Sequence, residues 1–426
     1  MQQTTTTTTF TGYQKMAIAI LALIQFAVVL DFMVLSPLGD VLMKSLDISP
    51  KQFGFTVSAY AFSAGISGVL AAGFADKFDR KKMLLVFFVG FIGGTLFCAL
   101  ANNYHTLLFA RIITGLFGGV IGAISMAIVA DIFAMNQRGR VMGFIQMSFA
   151  ASQVLGIPIG LYFSNIWGWH APFLMIVILG LLVALMALFQ LKPVTAHLAL
   201  QSDKSAFLHL WHTVTNKKYR VGFLATAFLS TGGFMMMPFG SAFLVNNIGI
   251  LNEQLPLIFM ITGIGSLIIM PIIGKLSDKI DKFKIFAAGS LWATVMVIVY
   301  THMSVMPMWL VILINVILFM GIMSRIVPAT ALVSAIPEMK DRGAFMSINA
   351  SLQQMSGGIA AAFAGMVVVQ KTKFSPLEHY DTLGFIVAGL MLLTIYLVYR
   401  VSKVVKNKYS AADNTIKMEK DLVIAE

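Results

Sequence analysis

The sequence predicts an all-α membrane protein, with twelve transmembrane helices in two pseudo-symmetric six-helix bundles. Three observations lead there. Of 426 residues, 58% are hydrophobic and 11% charged, with a mean hydropathy of +0.86, whereas a soluble globular domain carries about 25% charged residues. A water-soluble fold of this size would lack the polar side chains to cover its surface. Apolar runs recur from residue 16 to residue 399, which excludes a single anchor on a soluble domain. Finally, a charged loop motif occurs twice, half a chain apart.

A span needs about 20 apolar residues. Dividing the chain at charged and Pro/Gly-rich clusters predicts spans at 16–38, 52–74, 83–101, 106–130, 141–164, 171–191, 221–246, 255–274, 285–302, 307–332, 344–369 and 382–400. Before them lies a polar tail, 1–15, in which Thr4 to Thr9 follow no charged n-region and precede no cleavage site, so a signal peptide is not predicted. The two bundles are 16–191 and 221–400, joined by a linker at 192–220 and followed by a tail at 401–426. The single cysteine, Cys98, lies inside an apolar run and excludes a disulfide framework.

Lys and Arg orient such a chain, because they favour the cytoplasmic side of short loops. With both termini cytoplasmic, 24 of the 30 basic residues face the cytoplasm and four, Lys44, Lys51, Lys371 and Lys373, lie outside. The net charge of +12 is therefore an orientation signal and gives no indication of nucleic acid. The predicted location is a bacterial cytoplasmic membrane.

The loop after span 2 reads Asp76-Lys77-Phe78-Asp79-Arg80-Lys81-Lys82, and that after span 8 reads Asp278-Lys279-Ile280-Asp281-Lys282-Phe283-Lys284, 202 residues later. Gln137-Arg138-Gly139 and Asp341-Arg342-Gly343 repeat at an offset of 204. Two landmarks at nearly one offset imply a duplicated six-helix unit, the sequence sign of transporters whose halves rock about a central site. In the linker, Phe207, Leu210, Trp211 and Val214 have helical spacing and predict a short amphipathic helix on the membrane surface. The neighbouring His209 and His212 have no acidic or cysteine partners nearby and read as solvated, so no metal site is predicted.

At these loops the chain resembles the major facilitator superfamily. The family signature Gly-x-x-x-Asp-Arg/Lys-x-Gly-Arg-Arg/Lys is matched by Asp76, Lys77, Arg80 and Lys81, with Ala72 and Asp79 at the glycine positions. The second copy runs from Gly274 through Asp278 to Lys282, and span 4 carries an Arg-x-x-x-Gly pattern as Arg111 to Gly115. Gly156-Ile157-Pro158-Ile159-Gly160, followed by Trp167-Gly168-Trp169, looks like the drug- and sugar-efflux branch. The chain departs from the span 5 antiporter motif, since Pro158 is one place late, Leu161 replaces the last glycine and His170 stands where arginine is usual. The resemblance implies a proton-coupled exporter, working as a monomer without cofactor on a small molecule and protons. It also implies that Asp76, Lys77, Arg80, Lys81, Asp131, Asp278, Lys279 and Lys282 latch the conformation.

Of the 18 carboxylates one, Asp31, is expected deep within a span, and of the basic residues Arg111 and Arg325. A charge at mid-bilayer costs about 3 kcal/mol on insertion scales, so such groups face a cavity and pair. Asp31 and Arg111 lie at similar predicted depth on spans 1 and 4 and can meet where these are neighbours. The pair is either switchable by a proton, with burial opposing the carboxylate charge and the guanidinium favouring it, or a fixed tie between helices. Gly115, Gly118, Gly119 and Gly122 follow Arg111 along one smooth face for close helix packing, as Gly156, Pro158 and Gly160 do in span 5. Arg325 either binds an anionic substrate group or snorkels, with Asn315 higher on the same helix. Further candidates for a substrate cavity are Gln25, Gln146, Gln153, Asn349, Gln353 and Gln354, or else these bond between helices; Phe234 and Met237 offer a soft apolar surface.

Rival classes are weaker. Gly65-Ile66-Ser67-Gly68 carries the string of rhomboid-like proteases, but no histidine is expected at the depth of Ser67 to serve as base. An aspartyl membrane protease needs two deep acids. A channel or a transporter-derived sensor fits the duplicated halves poorly, and a proton symporter importing a metabolite or siderophore remains the alternative direction.

Overall fold

The computed structural model describes residues 10–71, 78–195, 198, 206–338 and 341–425. In the first half run α1 (Gly12–Val34), α2 (Gly39–Leu46), α3 (Pro50–Ala71), α4 (Arg80–Ala99), α5 (Tyr104–Ile132), α6 (Met135–Ala151), α7 (Ile157–Trp167) and α8 (His170–Gln190). The linker holds α9 (Ala206–Thr215). The second half contains α10 (Lys217–Met236), α11 (Gly240–Asn246), α12 (Leu255–Lys279), α13 (Lys282–Thr301), α14 (Met308–Ser334), α15 (Arg342–Val367) and α16 (Tyr380–Ala425). Among the described residues the sole β pairing is one bridge between Val369 and Glu378.

Among the described residues, eleven helices are long and apolar enough to cross a membrane. The remaining predicted span, 344–369, is α15, whose Asn349, Gln353 and Gln354 lower its hydropathy. The end of the bundle bearing Gly12, Arg80 and Lys282 is here called the basic end, and its opposite the far end. Helix starts follow the polar caps in the sequence. Thr11 and Gln14 form a capping box on α1, and Asp79 and Asp281 accept from the backbone amides of Lys81 and Phe283 at 2.9 and 2.8 Å to cap α4 and α13. The second acid of each loop repeat thus has one structural task in both halves, and such a cap contributes about 1 kcal/mol.

Two predicted boundaries differ, and two predicted spans are interrupted. Helix α1 begins at Gly12 inside the expected tail, and α16 continues to Ala425 through residues expected as tail. Spans 5 and 7 are interrupted: a π-turn at Ser152–Gly156 separates α6 from α7, and a 3₁₀ turn, Met237-Pro238-Phe239, separates α10 from α11. Each break meets a proline, whose missing N–H and ring oppose an unbroken helix. In α9 the expected single apolar face is divided, because Leu210 packs against Phe223 and Phe345 of the second half while Trp211 and Val214 are exposed; the Phe207 side chain lies outside the described residues.

The halves touch along three lines. Helices α3 and α15 pack closely from Gly54, where an added Cβ would sit 2.7 Å from the Ala361 carbonyl, to Gly68, where it would sit 3.0 Å from Ser351 Oγ. At the far end α2 meets α11, and α7 with the π-turn meets α12. The basic-end piece of span 5, α6, instead packs on α1, where Ser148 and Ser152 donate to the carbonyls of Ala22 and Phe26. The two bundles are therefore closed at the far end and part towards the basic end between α6 and α12.

Candidate functional site

Helix α1 brings Asp31 against α5, where Arg111 Nη1 stands 2.7 Å from its Oδ2. Thr95 of α4 donates to the other carboxylate oxygen at 3.1 Å. Both charges are sealed from solvent, at 0% and 1% exposure. The Arg111 guanidinium lies 4.4 Å from the centre of the Tyr60 ring on α3, a stacking that suits its planar, weakly hydrated charge. Four helices thus converge on one ion pair. Asp31 lies about 28 Å along α1 from Gly12 at 1.5 Å per residue. Thr95 and Tyr60 were not singled out from the sequence, where a threonine or tyrosine in a span carries no charge penalty to mark it.

From this pair a chain of rings leads to the contact between the halves. Tyr60 touches Phe32 at 5.3 Å between centroids, and Phe32 touches Phe234 of the second half at 5.7 Å. Phe234 in turn covers Gly357, where a Cβ would come within 2.9 Å of its ring. Gln25 lies two helical turns from Phe32 on the same face of α1, and Gln353 and Gln354 lie one turn from Gly357 on α15, all on the basic side of the ring contact. Among the described residues none of Gln25, Gln146, Gln153, Gln353 and Gln354 has a side-chain hydrogen bond; Asn349 does, accepting from Thr226 at 2.7 Å. Gln146 and Gln353 are exposed, the others half-buried. Met237 is half-buried in the 3₁₀ turn of span 7.

The two other deep candidates point elsewhere. Arg325 is 3% exposed, so it does not snorkel; its Nε donates to Ser290 Oγ at 3.1 Å and its guanidinium lies 5.9 Å from the Phe286 ring, both on α13. Asn315 is buried and donates to the carbonyl of Val311 one turn away. On α5, Gly115 faces Ser63 and Tyr60, Gly118 faces Tyr60, and Gly119 faces the Ala64 backbone, with no room for a Cβ. Gly122 is the exception to the predicted packing face, since a Cβ there would meet Gln25 Oε1 alone, at 4.0 Å. Gly156 and Gly160 face Leu30 and Val34 of α1, Pro158 is buried, and His170 Nδ1 stands 2.7 Å from the Ala99 carbonyl, tying α8 to α4.

At the basic end Arg80 pairs with Asp131 at 2.8 Å and reaches the Ala127 carbonyl, and Lys81 reaches the Leu188 carbonyl. These contacts stay within the first half. Asp76 and Lys77 lie outside the described residues. In the second copy Asp278 and Lys282 are 3.9 Å apart with Asp278 largely exposed, and Lys282 donates to the Ser277 carbonyl. No ion pair of Lys279 is seen among the described residues. Asp281 is better held: Lys406 at 2.6 Å, together with the capped amide of Phe283, keeps its carboxyl below the usual aspartate range.

The far end holds a polar bridge that the sequence placed in a loop. Asp40 of α2 is 1% exposed and accepts from Lys44 at 2.8 Å, from Asn246 of α11 at 2.6 Å and from Asn252 at 3.4 Å. Ser241 donates to the Ser36 carbonyl, and Asn165 to that of Asn252. These bonds cross from one half to the other. Asp40 sits just beyond a hydrophobic stretch in which nothing signals that α11 will cover it.

The family model described as Major Facilitator Superfamily matches residues 21–362 and 223–419. The chain is 24% identical over 393 residues to the uncharacterised MFS-type transporter YceJ of Bacillus subtilis (strain 168), covering 91% of this chain and 97% of that protein. It is 29% identical over 226 residues to a bicyclomycin resistance protein homolog of Haemophilus influenzae, covering 51% and 55%. Among solved structures it is similar to a bacterial homolog of the human lysosomal transporter Spinster in an inward-facing, unoccupied conformation, with a TM-score of 0.74, 15% identity and coverage of 94% and 99%.

Proposed function

The chain belongs to the Major Facilitator Superfamily, and on that premise we propose that this transporter is a proton-coupled exporter of a small molecule. The observation that carries the reading is the sealed Asp31–Arg111 pair, joined through Tyr60 and Phe32 to Phe234 across the halves. In this reading the basic end faces the cytoplasm of a bacterial cell, and both termini lie on that side. The structure then corresponds to a state closed outwards, with Asp31 ionised and its proton already released inwards.

The cycle follows from charge balance. With Asp31 ionised, substrate binds from the basic side and is carried outwards. A proton reaching Asp31 from the opened far end then neutralises the carboxylate and leaves Arg111 without its counter-charge, which is costly. Arg111 rearranges, Tyr60 moves with it, and the Phe32–Phe234 contact stays loosened while substrate leaves. Closing the far end re-forms the Asp31–Arg111 pair and releases that proton on the basic side, so proton and substrate cross in opposite directions. The Arg80–Asp131 and Asp281–Lys406 pairs hold the ends of neighbouring helices within each half and move as parts of rigid bundles.

Bicyclomycin is a natural first probe, given the bicyclomycin resistance homolog among the relatives. In inside-out vesicles an imposed proton gradient should drive its accumulation with the wild-type protein. Asp31→Asn should abolish the gradient dependence while leaving the protein folded. Gradient-driven transport by Asp31→Asn at the wild-type rate would sink the assignment of Asp31.

A further inference from the structure

The unpartnered amides say what kind of molecule the space between the halves accepts. Gln25, Gln146, Gln353 and Gln354 lie within spans, yet among the described residues none has a hydrogen-bond partner. An amide left in hydrocarbon without a partner is strongly unfavourable. Such positions are sustained where the side chain meets water or a ligand. Their placement agrees: Gln25 is two turns below Phe32, Gln353 and Gln354 one turn below Gly357, and Phe32 and Phe234 close the space above them. The bond from Ser148 to the Ala22 carbonyl sets the register of α6 on α1, which brings Gln146 to within about 8 Å of Gln25 in height. Amides from both halves therefore lie below one aromatic contact, with Gln25, Gln353 and Gln354 within two turns of it.

The charges beside the ring contact are already committed, since both oxygens of Asp31 are occupied by Arg111 and Thr95. Among the described residues Arg325 has no carboxylate partner and its Nη2 is unbonded, but it is buried against Ser290 and Phe286 of α13, turned from the ring contact. An ionic ligand beside Phe32 and Phe234 would bring a charge that neither Asp31 nor Arg111 is free to balance. An uncharged one would find donors and acceptors in every amide, and a ring face in Phe32 and Phe234. We propose that the ligand held between the halves is an uncharged molecule with several hydrogen-bonding groups and an apolar face, gripped by Gln25, Gln146, Gln353 and Gln354. This rests on the transporter reading above and adds the class of substrate to it.

The test is ligand binding to the full chain in lipid nanodiscs, read as the shift in melting temperature and as Kd. The probes are matched by charge: uridine beside uridine 5′-monophosphate, glucose beside glucuronate, and benzyl alcohol beside benzyltrimethylammonium. An uncharged member should bind about tenfold or more tightly than its charged relative, and Gln25→Ala or Gln354→Ala should weaken it about tenfold, the worth of one well-made hydrogen bond. Both variants should keep the ligand-free melting temperature. Gln354→Asn, which retains the amide, should weaken binding less than Gln354→Ala. A charged member binding as tightly as its neutral relative, or failure of every uncharged probe to bind, overturns the proposal. No gradient is applied, so this result stands apart from whether Asp31 carries a proton and from the direction of transport.

Discussion

Asp31 and Arg111 depend on each other because neither reaches solvent. Removing one partner of such a pair strands the other charge, at a cost of about 3–5 kcal/mol, whereas replacing both with apolar groups is often close to neutral. Arg111→Leu should therefore lower the melting temperature in detergent sharply, and Asp31→Leu combined with Arg111→Leu should recover most of the loss. If the double variant is as unstable as the single one, the pair is not the unit described. Arg111→Lys keeps the charge but loses the planar stack on Tyr60, so transport should fall even where folding is kept. Asp281 gives a pH dependence of known sign. Its folded carboxyl titrates below the unfolded value of about 3.9, so its contribution is present above that pH and is lost as the pH falls through the lower folded value. Asp281→Asn should flatten acid unfolding below about pH 4 relative to wild type, and an unchanged acid limb would contradict the role given to Lys406. At this scale the sequence revealed the charges, since an ion inside a bilayer is too costly to be incidental. It could not reveal Thr95 and Tyr60, which are ordinary residues until their neighbours are known. Nor could it tell that Arg325 turns to α13, because the rotation of a nearly uniformly apolar helix is set by packing.

Helices pack here through small residues, and the tightest contacts are those of α5 on α3. Gly119 lies against the Ala64 backbone, so Gly119→Ala forces two helices apart and should cost about 1–3 kcal/mol, as overpacking does. Gly122→Ala meets Gln25 Oε1 alone and should be nearly neutral. Equal effects at the two positions would refute the packing account of α5. The glycine stripe was legible in the sequence, but its extent was not, because four glycines on one face do not say where the partner helix diverges. The breaks at Ser152–Gly156 and Met237–Phe239 were likewise hidden inside apolar runs. Asp40 read as a loop acid and is instead the centre of the far-end bridge. Asp40→Ala should shift the population towards a far-end-open form, seen as a longer spin-label distance between α2 and α11; an unchanged distance would make the bridge incidental.

For the whole molecule, the duplicated loops foretold two halves, and the twelve predicted spans foretold what each contains. What sequence patterns cannot carry is the relative placement of the halves, which depends on contacts such as α3 with α15 that join residues far apart in the chain. The closed far end and the parting of α6 from α12 give that placement a sense, and the ring path from Arg111 to Phe234 gives it a trigger. The central claim is that the protonation state of Asp31 sets which end is closed. Spin labels on α2 and α11, read by pulsed dipolar spectroscopy in nanodiscs across a pH series, test it most directly. Acidification should lengthen the far-end distance in the wild-type protein, and Asp31→Asn should hold the long distance at every pH. A pH response in Asp31→Asn equal to that of the wild type would show that another group drives the switch.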